Sequence, residues 1–590
     1  MPLIACGGGP SSPPQPMYTV GGVVTGLKGS GLVLQNNAGT VLAISVSGPF
    51  NFADRLDSGA AYAVTVATQP AAPTQNCVVM NGSGIVAGAN VANVAVSCAT
   101  VPFTTLVNQP REAGYLALLL TDGSVMMQSV NDASVFYNLV PAADGSYVTG
   151  TWRLLSSPPP GYAPYAGSQA VLADGRVLFV GGEYNQNQYA LPFAPSGLTN
   201  MSALYDPVAD HWTMIAPPPG VAYIGDTPSV ILPDGSFMFG SKLGRQMWRL
   251  DPKSLTWTSV PSSGKADDFA EEGWTLLPGG ELFTIDVGTP RNAEHYDPAS
   301  AQWYGDGNTP AALTSPSGTP GGLTYGPAPL EVVGGVSYGP GPAGTYYPPG
   351  EIGPALLLPS GKIFATGALD AQGGRAHTVI YTRDQTPGAP GRFAAGPDFA
   401  AGDDASDGSA ALLPSGHVLI AATSGRFYEY DGIAMPITGI LPDNGGTTFY
   451  FILPLPNGQA LVTGGVTCIY QGEGSPDPSW APTILAAPAT VTRGSVFSVS
   501  GTQFNGLSQA ASVGDEFNAA TNYPLVRITH LASGRVVYAR THDHSSMGVA
   551  TGSAIVSTVF DVPPTTDTGP SALAVVANGI ASAPLNVTVD

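Results

Sequence analysis

Positive charge is scarce in this chain: 20 lysines and arginines stand against 41 aspartates and glutamates, a formal net charge of −21 over 590 residues. A nucleic-acid partner needs a basic stripe to meet its phosphates, so none is expected. An anionic membrane surface is disfavoured as a direct partner for the same reason. Charged residues of either sign make up only 10%, too few for the Lys-, Glu- and Arg-rich faces that helices draw on. No run of 18 apolar residues occurs, which excludes a membrane-spanning helix. Cysteine is rare as well, with four in all. Cys77 and Cys98 bracket two strand-like runs and are expected to pair, closing a loop worth about 3 kcal/mol and pointing to an oxidising compartment. Cys468 has no evident partner and is expected to be buried.

Glycine and proline, by contrast, are plentiful at 76 and 56 residues, and 43% of the chain is apolar, enough to fill a core. Short strands separated by Gly/Pro turns suit that composition. One cassette recurs seven times: Thr121-Asp-Gly-Ser-Val, Ala173-Asp-Gly-Arg-Val, Pro233-Asp-Gly-Ser-Phe, Pro278-Gly-Gly-Glu-Leu, Pro359-Ser-Gly-Lys-Ile, Pro414-Ser-Gly-His-Val and Pro456-Asn-Gly-Gln-Ala. Each lies between two apolar runs, the pattern of a β-hairpin. The turn glycines are roughly 40 to 80 residues apart, which suits a four-stranded unit with loops of variable length. Several copies add a second half, in which Asp206-Pro leads to Trp212, Asp251-Pro to Trp257 and Asp297-Pro to Trp303, and Gly181-Gly182 and Gly464-Gly465 follow the second apolar run. These features resemble the kelch repeat. They imply an all-β fold with a seven-bladed kelch-type propeller over residues 101–482.

The flanks read differently. Residues 17–100 alternate apolar and polar positions in short runs, as a small β-sandwich would. Residues 483–590 hold further strand-like runs and no cassette, reading as a second β-sandwich. Residues 1–16 form a flexible Gly/Ser/Pro tether in which Leu3-Ile4-Ala5-Cys6 resembles a bacterial lipobox, with Cys6 the acylated residue. The expected location is therefore extracytoplasmic, secreted or anchored to an outer membrane, with membrane contact only through that lipid.

Counting back from each turn glycine exposes a second regularity. Glu112, Asp226, Glu271 with Glu272, Glu351 and Asp407 stand 8 to 11 residues before their glycines. In a propeller the start of every inner strand faces one mouth of the central channel, so five units would place an acid there. Crowded carboxylates repel, and their pKa values rise unless a cation or hydrogen-bond donors compensate. The long insertion 307–350 carries Tyr325, Tyr338, Tyr346 and Tyr347, which suit stacking on sugar rings or gripping a protein; a second insertion, 183–200, carries Tyr184, Asn185, Asn187 and Tyr189.

Propeller followed by sandwich, together with Arg493-Gly-Ser-Val-Phe, Pro524-Leu-Val-Arg-Ile, Ala539-Arg-Thr-His-Asp-His and the tail from Val575, resembles the galactose oxidase group over residues 101–590. The resemblance implies a galactose oxidase-like (Ig-like) C-terminal sandwich. It also implies a loop of that domain entering the channel with a histidine ligand, a place matched by His542, with His544 the competing choice. The group's cysteine-tyrosine cross-link has no counterpart at Ala166-Gly-Ser-Gln-Ala, and Thr448-Phe449 stands where it has a Tyr-His pair. A copper-radical cofactor is therefore not expected, and the chain resembles secreted bacterial kelch proteins.

On a strand, residues two apart share a face, so His542 and His544 are expected to point together into the channel. With the acids they would bind a divalent metal or serve as acid/base catalysts on a sugar, with Glu272, Glu351 and Asp407 as the catalytic carboxylates. The alternative is that the acids cap strand-start amides. Two functions follow: a surface propeller that binds a glycan or extracellular protein through Glu112, Asp226, Glu271 and the tyrosines, or a carbohydrate-active enzyme.

Overall fold

The structure is a computed structural model. It describes residues 16–590 apart from 38, 71–74, 101, 186–197, 317–322, 326–329, 340, 348–349, 370–373, 385, 387, 442–449 and 515–518. It is all-β: the described residues contain strands and two single-turn 3-10 segments, with no α-helix. The chain divides into two compact units, Met1–Pro102 and Phe103–Asp590.

The first unit pairs two four-stranded sheets. One holds Gly48–Asp57, Met17–Thr25, Val91–Thr100 and Gln75–Met80; the other holds Val41–Ile44, Leu32–Asn36, Ala61–Thr68 and Ser83–Ile85. Val20, Leu34, Phe52, Val64 and Val96 fill the space between them. Cys77 and Cys98 face each other on adjacent antiparallel strands and are disulfide-bonded, as expected.

In the second unit each cassette is a hairpin turn between the first two strands of a four-stranded antiparallel sheet. The first sheet is Gly114–Leu119, Val125–Ser129, Phe136–Val140 and Thr151–Leu154, and six more follow in sequence. All seven turn glycines have positive φ, from 76° at Gly361 to 95° at Gly280, a backbone region that L side chains resist. Asp122, Asp174 and Asp234 each accept the amide two residues on, closing the turn. The aspartates of the Asp-Pro turns do the same for the outer hairpins. The tryptophans stitch neighbouring units together. The indoles of Trp152, Trp212 and Trp257 donate to the carbonyls of Asn108, Ser156 and Ala216, each on the chain leading into its own unit. Phe103–Thr105 supplies the fourth strand of the last sheet by pairing with Cys468–Tyr470, and Thr463 bonds the Tyr115 carbonyl, so the last sheet closes against the first. Cys468 is buried in that last sheet.

The C-terminal strands, from Thr483–Ala486 to Leu585–Val589, form one curled nine-stranded sheet around Val499, Phe504, Val526, Phe560 and Val575. It docks on the turn ends of the propeller-type sheets: Thr541 N–H donates to the Thr121 carbonyl (3.0 Å), His544 N–H to Ala173 (3.1 Å) and Met547 N–H to Pro233 (2.9 Å). One segment, Ala511–Val513, leaves this sheet and adds a fifth strand to the inner edge of the sixth propeller sheet, beside Ser409–Leu412.

Candidate functional site

The inner strands begin at the end opposite those turns, roughly 15 Å away over four to six residues, and this is where the acids gather. Asp226 precedes the strand Ser229–Ile231, Glu271 precedes Thr275–Leu276, Glu351 precedes Ala355–Leu357 and Asp407 precedes Ser409–Leu412. Two residues join them from second strands: Glu183, beyond Val177–Val180, and Lys242, beyond Phe237–Gly240. The Lys242 side chain is 1% exposed; its ammonium pairs with Asp226, lies 2.8 Å from Glu271 and lies 3.6 Å from Glu183. Glu351 hydrogen-bonds to Asp407. Glu271 and Asp407 both adopt left-handed backbone, φ 57° and 46°, a strained state that functional sites often retain.

Burial sets the protonation pattern. It pushes Asp226 well above the usual carboxylate range, and the neighbouring Glu183 charge adds to this. Burial, then repulsion from Glu271 and Asp407, pushes Glu351 up to about 11. Burial and Glu271 push Asp407 up to about 7, although the bond from Glu351 opposes the rise. Glu351 is therefore the protonated member of the pair, and Asp407 is its acceptor. Asp226 and Glu271 are buried, whereas Glu183, Glu351 and Asp407 keep partial exposure.

A second cage lies beside the first. Lys265, fully buried, is held by Asp267, Glu272, Asp286 and Glu294 at 2.8–2.9 Å. Its ammonium also sits over the rings of Phe269 and Trp303. Burial works against its charge, but Glu272, Asp286, Glu294 and Asp267 outweigh that and hold its pKa above the ordinary lysine value. Burial raises Glu272 well above its usual range and Glu294 to about 7. Oxygens of Asp267, Glu272 and Asp286 lie close enough together to bind a cation; the Lys265 ammonium already fills that role.

The sequence-predicted residues divide accordingly. Asp226, Glu271, Glu351 and Asp407 converge. Glu272 belongs to the Lys265 cage, because the left-handed turn at Glu271 sends adjacent side chains to different clusters. Glu112 stays with its own sheet, where its carboxylate accepts the Ser129 hydroxyl. The expectation that His542 and His544 face the channel fails. The strand ends at His542, Asp543 adopts φ 52°, and the alternation that would align the two imidazoles is broken. His542 lies between Asp543 (2.8 Å) and Asp561 (3.2 Å). His544 is buried, bonds Thr558 at 2.8 Å and stacks on Tyr523. Both sit at the turn end, away from the acids, and the segment that does enter the channel is Ala511–Val513 instead. Ala166 is buried and offers no sulfur.

Within the long insertion, Tyr338 is a packing residue, 2% exposed, with its hydroxyl donating to the Ile215 carbonyl at 2.9 Å. Tyr347 is 65% exposed. The insertion grips two site loops: Ser315 and Glu351 exchange hydrogen bonds at its ends, and the Tyr223 hydroxyl, three residues before Asp226, donates to Pro342. In the second insertion the Asn185 side chain is bonded to Ala163 and Gly161. The side chains of Tyr325 and Tyr346, and all of Cys6, Asn187, Tyr189 and Thr448-Phe449, lie outside the described residues. Sequence reading missed Lys242, Lys265, Glu183, Asp267, Asp286 and Glu294. The available signal was that two of only five lysines sit beside unit-start acids.

No family model and no curated protein matches the chain. Among solved structures it is similar to a fungal alcohol oxidase of the AA5 family in complex with copper, at 12% identity and TM-score 0.43, covering 83% of this chain and 98% of that one. It is also similar to a virginiamycin B lyase from Staphylococcus aureus, at 10% identity and TM-score 0.39, covering 63% and 98%. A third likeness is to the extracellular domain of a hybrid two-component system from B. thetaiotaomicron, at 8% identity and TM-score 0.38, covering 89% and 66%. None of these likenesses is close enough to bear on the chemistry.

Proposed function

We propose that the protein binds an uncharged, hydroxyl-rich ligand, a glycan segment, at the acid-lined mouth of its channel. The observation that carries this reading is the Glu351–Asp407 pair beside the caged Lys242. Glu183, Glu351 and Asp407 keep partial solvent access and offer acceptors and one donor to sugar hydroxyls, while the chain's net charge of −21 repels anionic polymers. The Cys77–Cys98 disulfide supports an extracytoplasmic location, and acylation at Cys6 would tether the protein there; intact-mass analysis of native material tests the lipid. Calorimetry against a panel of neutral oligosaccharides tests the ligand. Binding that Glu351→Gln with Asp407→Asn abolishes supports the reading, and binding that survives the double variant refutes it.

One observation favours a second reading. Neighbouring carboxyls whose pKa values are driven apart, Glu351 to about 11 and Asp407 to about 7, form the kind of pair that divides acid and base roles. A glycan-cleaving enzyme would release reducing ends, and their absence from every oligosaccharide that binds would leave the binding function alone.

A further inference from the structure

The C-terminal sheet does more than cover the turn ends. Its segment from Ser508 to Gly514 runs along the inside of the propeller-type sheets from the turn end to the acid end. Leu412 N–H donates to the Ala510 carbonyl near the turn, Ser409, Ala410 and Ala411 pair with Val513, Ser512 and Ala511, and Gly514 N–H donates to Gly408 at the mouth. The segment is pinned from several sides. Gln509 accepts the Leu276 amide, Thr521 N–H returns to the Gln509 carbonyl, and Asn522 donates to the carbonyls of Met547 and Gly548 in the C-terminal domain.

At its mouth end this segment meets the candidate site. Gly514 has φ +40°, and a Cβ there would lie 3.2 Å from the Asp407 Cα and 3.5 Å from its Oδ1. Asp407 is itself in left-handed backbone, with its amide donating to the Ile352 carbonyl next to Glu351. Its carboxyl faces Glu351, Glu271, Glu183 and Lys242, contributed by the loops of four other sheets or the connections between them.

We infer that Gly514 is a positioning residue: seated on Asp407, it fixes that carboxyl against Glu351, so the C-terminal domain sets the geometry of the mouth. The consequence for ligand affinity rests on the glycan reading above; the positioning role does not. Side chains at Gly514 displace Asp407 and lengthen its bond from Glu351. That bond favours the ionised form, so its loss raises the midpoint at which Asp407 titrates.

The test is an infrared titration of the Asp407 carboxyl in the full chain, isolated by difference against Asp407→Asn. Gly514→Ala is expected to raise the midpoint by about half a pH unit or more. Gly494→Ala, also at positive φ in the C-terminal domain but with open space around it, is expected to leave it unchanged. Should Gly514→Ala fail to fold, Val513→Ala, which loosens the same strand, carries the expectation of a raised midpoint. A midpoint unmoved by either variant overturns the positioning role. If the midpoint moves but Asp407→Asn leaves oligosaccharide binding intact, the positioning role stands and the ligand reading falls.

Discussion

Lys265→Met would leave four carboxyls in a dry cage with no cation. At 2.8–2.9 Å each contact to an ionised carboxylate supplies about 6 kcal/mol of attraction at an effective dielectric of ~20. Dehydration of the ions cancels much of it, so the four contacts do not sum. Removing one partner of a buried pair typically costs about 3–5 kcal/mol, a large share of the roughly 5–15 kcal/mol by which folded proteins exceed their unfolded chains. Methionine keeps an unbranched apolar stem but removes the ammonium from its carboxyl partners and from its place over the Phe269 and Trp303 rings, so the loss is electrostatic. It must therefore depend on pH. Glu272 and Glu294 already have raised pKa values from burial, and without the ammonium they rise further, so protonation relieves the variant in acid. Urea unfolding at pH 5 and pH 8 should give a modest deficit at the first and the full one at the second. A Lys265→Met protein within about 1 kcal/mol of wild type at pH 8 would show that the cage is not electrostatically strained, and the account of both lysine clusters would lose its basis.

Three further outcomes follow from the same structure. Burial lifts the folded pKa of Glu294 from 4.5 to about 7, so the folded state keeps a proton that the unfolded chain releases. Stability contributed by this group is present below pH 4.5 and lost as pH rises toward 7. Glu294→Gln should therefore be near neutral at pH 4 and stabilising at pH 8, and equal effects at both would contradict the assignment. His544 has the opposite dependence: burial, then His542, depresses it from 6.5 to about 3. Its contribution is complete above pH 6.5 and lost as pH falls toward 3, so His544→Leu should flatten the acid side of the thermal-stability profile. Cys77→Ser with Cys98→Ser opens a loop of sequence separation 21 and should cost the first unit about 3 kcal/mol, measured on the isolated transition of that unit; no change on reduction would argue against the bond.

The sequence was most legible where a backbone constraint repeats. A hairpin turn needs a residue at positive φ, only glycine takes it without strain, and so Gly123 through Gly458 mark every turn. Trp212 and Trp257 were legible for a related reason, since each closes the same junction between units. The site was half legible. Counting back from a turn locates the start of an inner strand, which found Asp226, Glu271, Glu351 and Asp407. It could not tell Glu271 from Glu272, because the left-handed turn that separates them leaves no mark in residue type. It could not find the lysines either: Lys242 and Lys265 lie off the inner strands, and a buried lysine looks like an exposed one until its partners are in place. His542 and His544 misled because strand alternation was extended one residue too far, across Asp543.

The central claim is that the ligand sits at the acid mouth, and carboxyl footprinting tests it most directly. The protein is labelled with a carbodiimide and an amine, with and without the best-binding oligosaccharide, and the modified residues are located by mass spectrometry. The account predicts that the ligand protects Glu183, Glu351 and Asp407 while Asp543 and Asp561, at the turn end, label unchanged. Protection at Asp543 and Asp561 with none at Glu351 and Asp407 would contradict it.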